Sequence, residues 1–190
     1  MAQLDATGLT GKMLIAMPGM GDPRFDQAVI FMCAHSDDGA MGLIVNKPTA
    51  DVSLRMLLEQ LSIEVVADVE GQQVHYGGPV EMSRGFVLHS PDYESVVATL
   101  EVDDWFHMTA TLDILESIGQ GTGPDTRLML LGYAGWGPGQ LEGELAANGW
   151  LICDATPDLV FGVDDGDKWE AALKSIGVSP LALSSEGGRA

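Results

Sequence analysis

Two apolar runs joined by an acidic turn constrain the fold most. Ala28 to His35 reads AVIFMCAH, and Met41 to Asn46 reads MGLIVN; Asp37-Asp38-Gly39 lies close between them. Runs of this length, rich in β-branched and aromatic residues, are strand material. Asp-Asp-Gly is turn chemistry, because Asp side chains bond to the local backbone and Gly tolerates positive φ. Residues 28–46 are therefore expected to form an antiparallel hairpin, stopped by Pro48. A regular βαβ alternation has no room for such a unit.

The remaining segments keep this irregular rhythm. Strands are expected over 12–17, 74–76, 85–89, 105–110, 127–133 and 150–154. Helices are expected from Ser53, as N-cap, to Leu61, from Leu112 to a stop at Gly119, over 140–148, and over 168–176 before Gly177. Strands cluster and helices are inserted singly. The expected class is α+β: a single compact domain with a mixed or antiparallel sheet and a few inserted helices. The domain spans 1–183, and the tail 184–190 (SSEGGRA) is expected to be disordered.

Charge narrows the function classes. Nine Lys and Arg stand against 28 Asp and Glu, a net charge of −19. The nine cations are scattered, with no two adjacent. Nucleic-acid surfaces need clustered cations to displace counterions from phosphates, so direct nucleic-acid binding is disfavoured. The longest wholly apolar run, Ala28 to Ala34, has seven residues, against the ~20 needed to cross a bilayer. MAQLDATGLTGK is not a secretory signal, and the expectation is a cytoplasmic protein with no membrane partner. Cys33 and Cys153, both in strand-like runs, read as buried thiols rather than a disulfide or zinc ligands.

The stretch GYAGWGPGQLEGEL (132–145) has the strand–glycine loop–helix order of a phosphate loop. It lacks the Lys and Ser/Thr that a P-loop needs, and Glu142 and Glu144 would repel an anion at the helix start. It reads as a packing corner. Cys33 and His35, two apart in a strand, share a face by period and could pair, but a buried thiol beside a strand-end histidine is the simpler reading. His and Asp residues show no metal-ligand spacing. No catalytic residue, metal or cofactor is assigned.

Three of the nine cations fall in Gly/Pro-dense corners: Arg24 in PGMGDPRF, Lys47 in GLIVNKP and Arg84 in YGGPVEMSRGFVLH. Cations held at rigid turns of an acidic chain are candidates for an anion pocket, with Asn46 and His89 as helpers. Tyr133, Trp136 and Gln140 would form its wall. Salt bridges to the plentiful carboxylates are the competing explanation.

The ordered corners PGMGDPRF, CAHSDDGAMGLIVNKP, YGGPV…RGFVLH and LGYAGWGPGQLEGEL…NGWL resemble the YqgE/AlgH family of bacterial proteins, over about residues 9–177. Lys47 stands where an arginine is common in that pattern. The resemblance implies a cytoplasmic α+β domain and a label of transcriptional regulator; it carries no catalytic set or cofactor. The expectation is a regulatory protein acting through a protein partner or a small anionic ligand rather than by direct DNA binding. An enzyme acting on a small anionic metabolite through the same corner residues, and a direct DNA-binding regulator, are the alternatives.

Overall fold

The computed structural model describes residues 8–19 and 21–187. The strands are β1 (Lys12–Ala16), β2 (Val29–Ser36), β3 (Gly39–Ile44), β4 (Pro48–Ser53), β5 (Gln73–Tyr76), β6 (Val80–His89), β7 (Leu100–Glu101), β8 (His107–Thr109), β9 (Arg127–Trp136) and β10 (Trp150–Asp154). The helices are α1 (Leu54–Gln60), α2 (Leu112–Gln120), α3 (Gln140–Ala146), α4 (Lys168–Ser175) and α5 (Pro180–Gly187). Residues 184–187 thus continue α5, and 188–190 of the expected tail lie outside the described residues.

The hairpin forms as its sequence dictates: Ser36 pairs with Gly39 across a two-residue turn, and β2 lies against β3. The sheet order is β10-β1-β2-β3-β9-β6-β8-β7. β5 runs parallel to β9, and the other described pairings are antiparallel. The class is α+β, as expected.

β9 organises the sheet. Its first half pairs with β5, its last three residues pair with β3, and β6 lies along the opposite edge. The change of neighbour falls at Gly132, whose φ is +77°; a Cβ there would stand 2.3 Å from the Gly78 carbonyl oxygen. A Cβ on Gly78 would stand 2.1 Å from the Tyr133 carbonyl carbon. The GGP corner and the GYAGW stretch therefore cross backbone on backbone, which only glycines permit. The first five residues of the glycine-rich stretch are strand, not loop. The expected end of β9 at Tyr133 was three residues short, because the β3 partner that extends it is distant in sequence.

β6 begins at Val80, five residues before the expected strand, and β8 is shorter than expected, His107–Thr109. Two expected stops also act differently. β3 ends at Ile44, and Pro48 opens β4, which pairs only with β5 and so tolerates a proline at its first residue. Gly119 does not stop α2: it packs inside the helix, where a Cβ would meet the Glu64 carbonyl oxygen at 2.5 Å, and Gly121, with φ +83°, ends it.

Three apolar clusters hold the layers. One face of β1–β3 and β6–β9 packs Phe31, Phe86, Phe106 and Leu130 against Trp169 and Leu173 of α4. The opposite face packs Ile30, Ile44 and Trp136 against Leu141 and Trp150 under α3. A third packs Val74, Val87 and Met129 against Leu54 and Leu58 of α1 and Ile114 and Ile118 of α2. α1 and α3 have seven residues each, too short to persist alone. Ser53 caps α1 through a 3.2 Å bond from Met56 N–H, worth about 1 kcal/mol. Each fully buried Leu adds about 1.5–3 kcal/mol, so burial outweighs the cap.

A buried polar link ties α4 to the sheet. Lys168, 2% exposed, donates to the Val45 carbonyl at 2.8 Å and pairs with Asp165 at 3.2 Å; Asp165 also takes His75 Nε2 at 2.9 Å. Burial pushes the lysine's pKa down. Burial works to raise that of Asp165, but His75 and Lys168 together outweigh it and hold the carboxyl low.

Candidate functional site

Three of the four corners, the first, third and fourth, meet at one cleft of about 670 Å³. Asp22, Arg24 and Phe25 come from the first corner, Pro79 from the third, and Trp136, Gln140, Glu144 and the NGW-turn Trp150 from the fourth. They are separated by up to 128 positions (150 − 22).

Local chemistry builds each wall. Asp22 caps the 3-10 turn Pro23–Phe25 by accepting Arg24 N–H at 3.0 Å. The same carboxylate takes the Arg24 side chain, with Nε at 3.0 Å and a terminal nitrogen at 2.7 Å. These hydrogen bonds lower the Asp22 pKa and raise that of Arg24. Phe25 meets Trp150 edge-on at 5.8 Å, and Trp150 meets Trp136 edge-on at 6.1 Å.

Glu144 is the polar hub. Its Oε1 accepts the indole N–H of Trp136 at 3.0 Å and of Trp150 at 2.9 Å. Its Oε2 accepts from Gln140 Nε2 at 3.1 Å, while Gln140 Oε1 accepts Gly137 N–H at 3.0 Å. One carboxylate thereby fixes two buried indoles and the helix-entry turn. Such a fully engaged network makes a rigid cleft.

The expected anion pocket divides. Arg24, Trp136 and Gln140 line this cleft. Arg84, Tyr133 and Trp136 line a second, open cleft of about 620 Å³ on the far side of the Gly135–Trp136 end of β9. Lys47 lines neither: its ammonium donates to the Asp26 carbonyl. Asn46 is buried, accepting Val29 N–H at 2.9 Å and donating to the Gln27 carbonyl at 2.9 Å. Asn46 and Lys47 therefore brace the 26–29 turn that follows Arg24 and Phe25, and neither lines either cleft.

His89 is also corrected. It is fully buried, Nδ1–H donates to the Ser90 carbonyl at 2.7 Å, and Nε2 accepts the Thr109 hydroxyl at 2.8 Å. Burial lowers its pKa, so it is a neutral core residue. The Cys33–His35 pair does not form either. A bulge between Met32 and Ala34 breaks the period of two. Cys33 enters the Phe31 cluster, where burial pushes its thiol up to about 12, while His35 reaches Glu142 of α3 at 2.7 Å.

Sequence reasoning missed Glu144, Trp150 and Phe25 as site residues. The available signal was the i,i+4 spacing of Gln140 and Glu144 on one helix face. Nothing local announced that two indoles would converge on that carboxylate. Among the described residues, no group of three His, Cys, Asp or Glu could hold a metal, and no helix is long and apolar enough to cross a membrane.

Comparison with known proteins gives a consistent result. A family model described as AlgH-like matches residues 13–181. A UPF0301 protein of Ruegeria pomeroyi is 60% identical over 183 residues, covering 96% of this chain and 99% of that one. A UPF0301 protein of Paracoccus denitrificans is 51% identical, covering 97% and 98%. The solution structure of the AlgH protein from Pseudomonas aeruginosa superposes with a TM-score of 0.78 at 40% identity, covering 97% of each chain. A crystal structure of a Corynebacterium diphtheriae protein shares the fold, with a TM-score of 0.73 at 20% identity.

Proposed function

This chain belongs to the AlgH-like family, and on that premise we propose that it is a regulatory binding protein that takes a basic segment of a protein partner into the Arg24–Trp136–Glu144 cleft. The observation that carries the reading is the convergence of three distant corners on one rigid cleft whose cation is already neutralised. Arg24 is bonded to Asp22 through Nε and one terminal nitrogen, which compensates its charge and weakens its pull on an anion. Glu144 leaves the lining with net negative charge, on a chain of −19. The uncompensated carboxylate charge of the lining favours a cationic side chain. The same charge opposes direct binding to DNA.

The test must separate the cleft from diffuse attraction to an acidic protein. Ala147 lines the cleft mouth and is exposed; Val96 is 92% exposed and is not among the cleft's lining residues. Ala147→Arg and Val96→Arg change net charge equally. Calorimetric titration with a short lysine- and arginine-rich peptide should show Ala147→Arg at least about tenfold weaker than Val96→Arg, roughly the size of one lost charged contact. Equal weakening by both variants, or tight salt-sensitive binding of the wild type to duplex DNA instead, would sink the reading.

A further inference from the structure

The second cleft carries a different chemistry. Four arginines lie among the described residues. Arg24 is bonded to Asp22, Arg55 to Glu70 at 2.6 Å, and Arg127 to Gln72 at 2.8 Å and the Pro124 carbonyl at 3.2 Å. Arg84 is held without a hydrogen bond: its guanidinium carbon sits 5.2 Å from the centre of the Phe86 ring, and Glu81 stands 3.7 Å off. A guanidinium near a ring and only loosely ion-paired, with no hydrogen bond of its own, can turn its N–H donors to a planar acceptor such as carboxylate. Arg84, ion-paired with Glu81 at 3.7 Å but making no hydrogen bond, stands at the edge of the cleft as an anion contact that a ligand carboxylate can take over from Glu81.

The rest of the cleft suits an organic body behind that anion. Phe86, which meets Tyr133 edge-on at 5.8 Å, lines it together with Met41, Met108 and Ala110. The Ser36 hydroxyl is on the rim; its oxygen accepts Asp38 N–H, leaving its own O–H to donate. Asp38 is the one acid in the lining and weakens any anion bound nearby. The volume of about 620 Å³ lies within the range of small-molecule sites.

We propose that this cleft binds a small carboxylate with an aromatic or aliphatic body, Arg84 holding the carboxylate and Phe86, Met41 and Met108 the body. The site adjoins the Arg24 cleft across the shared Gly135–Trp136 wall, and its chemistry does not depend on the peptide reading.

Phenylacetate serves as the probe, followed by the methyl signals of Met41 and Met108 in carbon-correlated NMR spectra. Saturable shifts are expected with the carboxylate, and at least about tenfold weaker binding with the neutral phenylacetamide. Arg84→Gln should weaken phenylacetate at least about tenfold, Arg84→Lys less, and Asp38→Asn should tighten it. Arg84 and Asp38 are exposed, so these variants fold. The absence of saturable shifts, equal binding of phenylacetamide, or an Arg84→Gln protein that binds like wild type would overturn the proposal. Loss of peptide binding in Ala147→Arg with phenylacetate binding intact would show the two clefts acting separately.

Discussion

Replacing Glu144 by Ala removes the acceptor of two buried indole donors. Trp136 is 7% exposed and Trp150 3%, and both indole N–H groups bond to the same oxygen. A buried donor left without a partner costs about 1–3 kcal/mol. Two such donors set a ceiling of about 6 kcal/mol, but Glu144 is only half-buried and water can enter where it stood. We therefore expect a loss of about 2–4 kcal/mol, a large part of the total stability of a typical domain. Glu144→Gln keeps an acceptor for the indoles. It loses charge assistance, and its NH2 group faces that of Gln140, which cannot flip without releasing Gly137 N–H. About 1–2 kcal/mol is expected there. Urea unfolding followed by circular dichroism measures both. A double-mutant cycle with Trp150→Phe should show a coupling of about 1 kcal/mol. An Ala variant within about 0.5 kcal/mol of wild type would refute the hub.

Two further predictions rest on other parts of the molecule. Gly132→Ala meets both a φ of +77° and the Gly78 carbonyl at 2.3 Å, so soluble native protein should be lost; Gly143→Ala, with nothing within 4 Å in mid-α3, should raise the urea midpoint by about 0.5–1 kcal/mol equivalent. The folded thiols of Cys33 and Cys153 are pushed by burial to about 12 and about 11, above an unfolded value of 9.0, so their contribution is complete below pH 9 and shrinks as pH rises. Urea midpoints between pH 8 and pH 11 should fall by about 1.4 kcal/mol per pH unit per thiol once above 9, and less steeply in Cys33→Ala/Cys153→Ala; parallel slopes would contradict this.

What could be read in the sequence was local. The β2–β3 hairpin, the Ser53 cap and the run of α4 before Gly177 each rest on neighbouring residues, and each is present. What escaped depends on partners far along the chain. AGW (134–136) reads as a loop until β3 arrives to pair with it, and Gly132 is explained by the crossing at Gly77–Gly78. A one-residue bulge at Cys33 reverses which face His35 occupies, and no composition rule places a bulge. Lys168 looks like a solvated helix start; its burial beneath Val45 and beside Asp165 follows from how α4 docks. The corner cations were visible as a set, but their different partners sorted them: Arg24 to Asp22, Lys47 to Asp26, and Arg84 to a ring.

The central claim is that a basic polypeptide segment occupies the Arg24–Trp136–Glu144 cleft. Its most direct test is a nitrogen-correlated NMR titration of the four tryptophan indole N–H signals with the lysine- and arginine-rich peptide. Trp136 and Trp150 donate to Glu144 in the cleft, Trp169 donates to the Ala16 carbonyl in the core, and Trp105 is 62% exposed outside the cleft. The account predicts saturable shifts of the Trp136 and Trp150 signals, abolished by Ala147→Arg, with Trp169 and Trp105 unmoved. Shifts confined to Trp105, or spread evenly over all four, would contradict it.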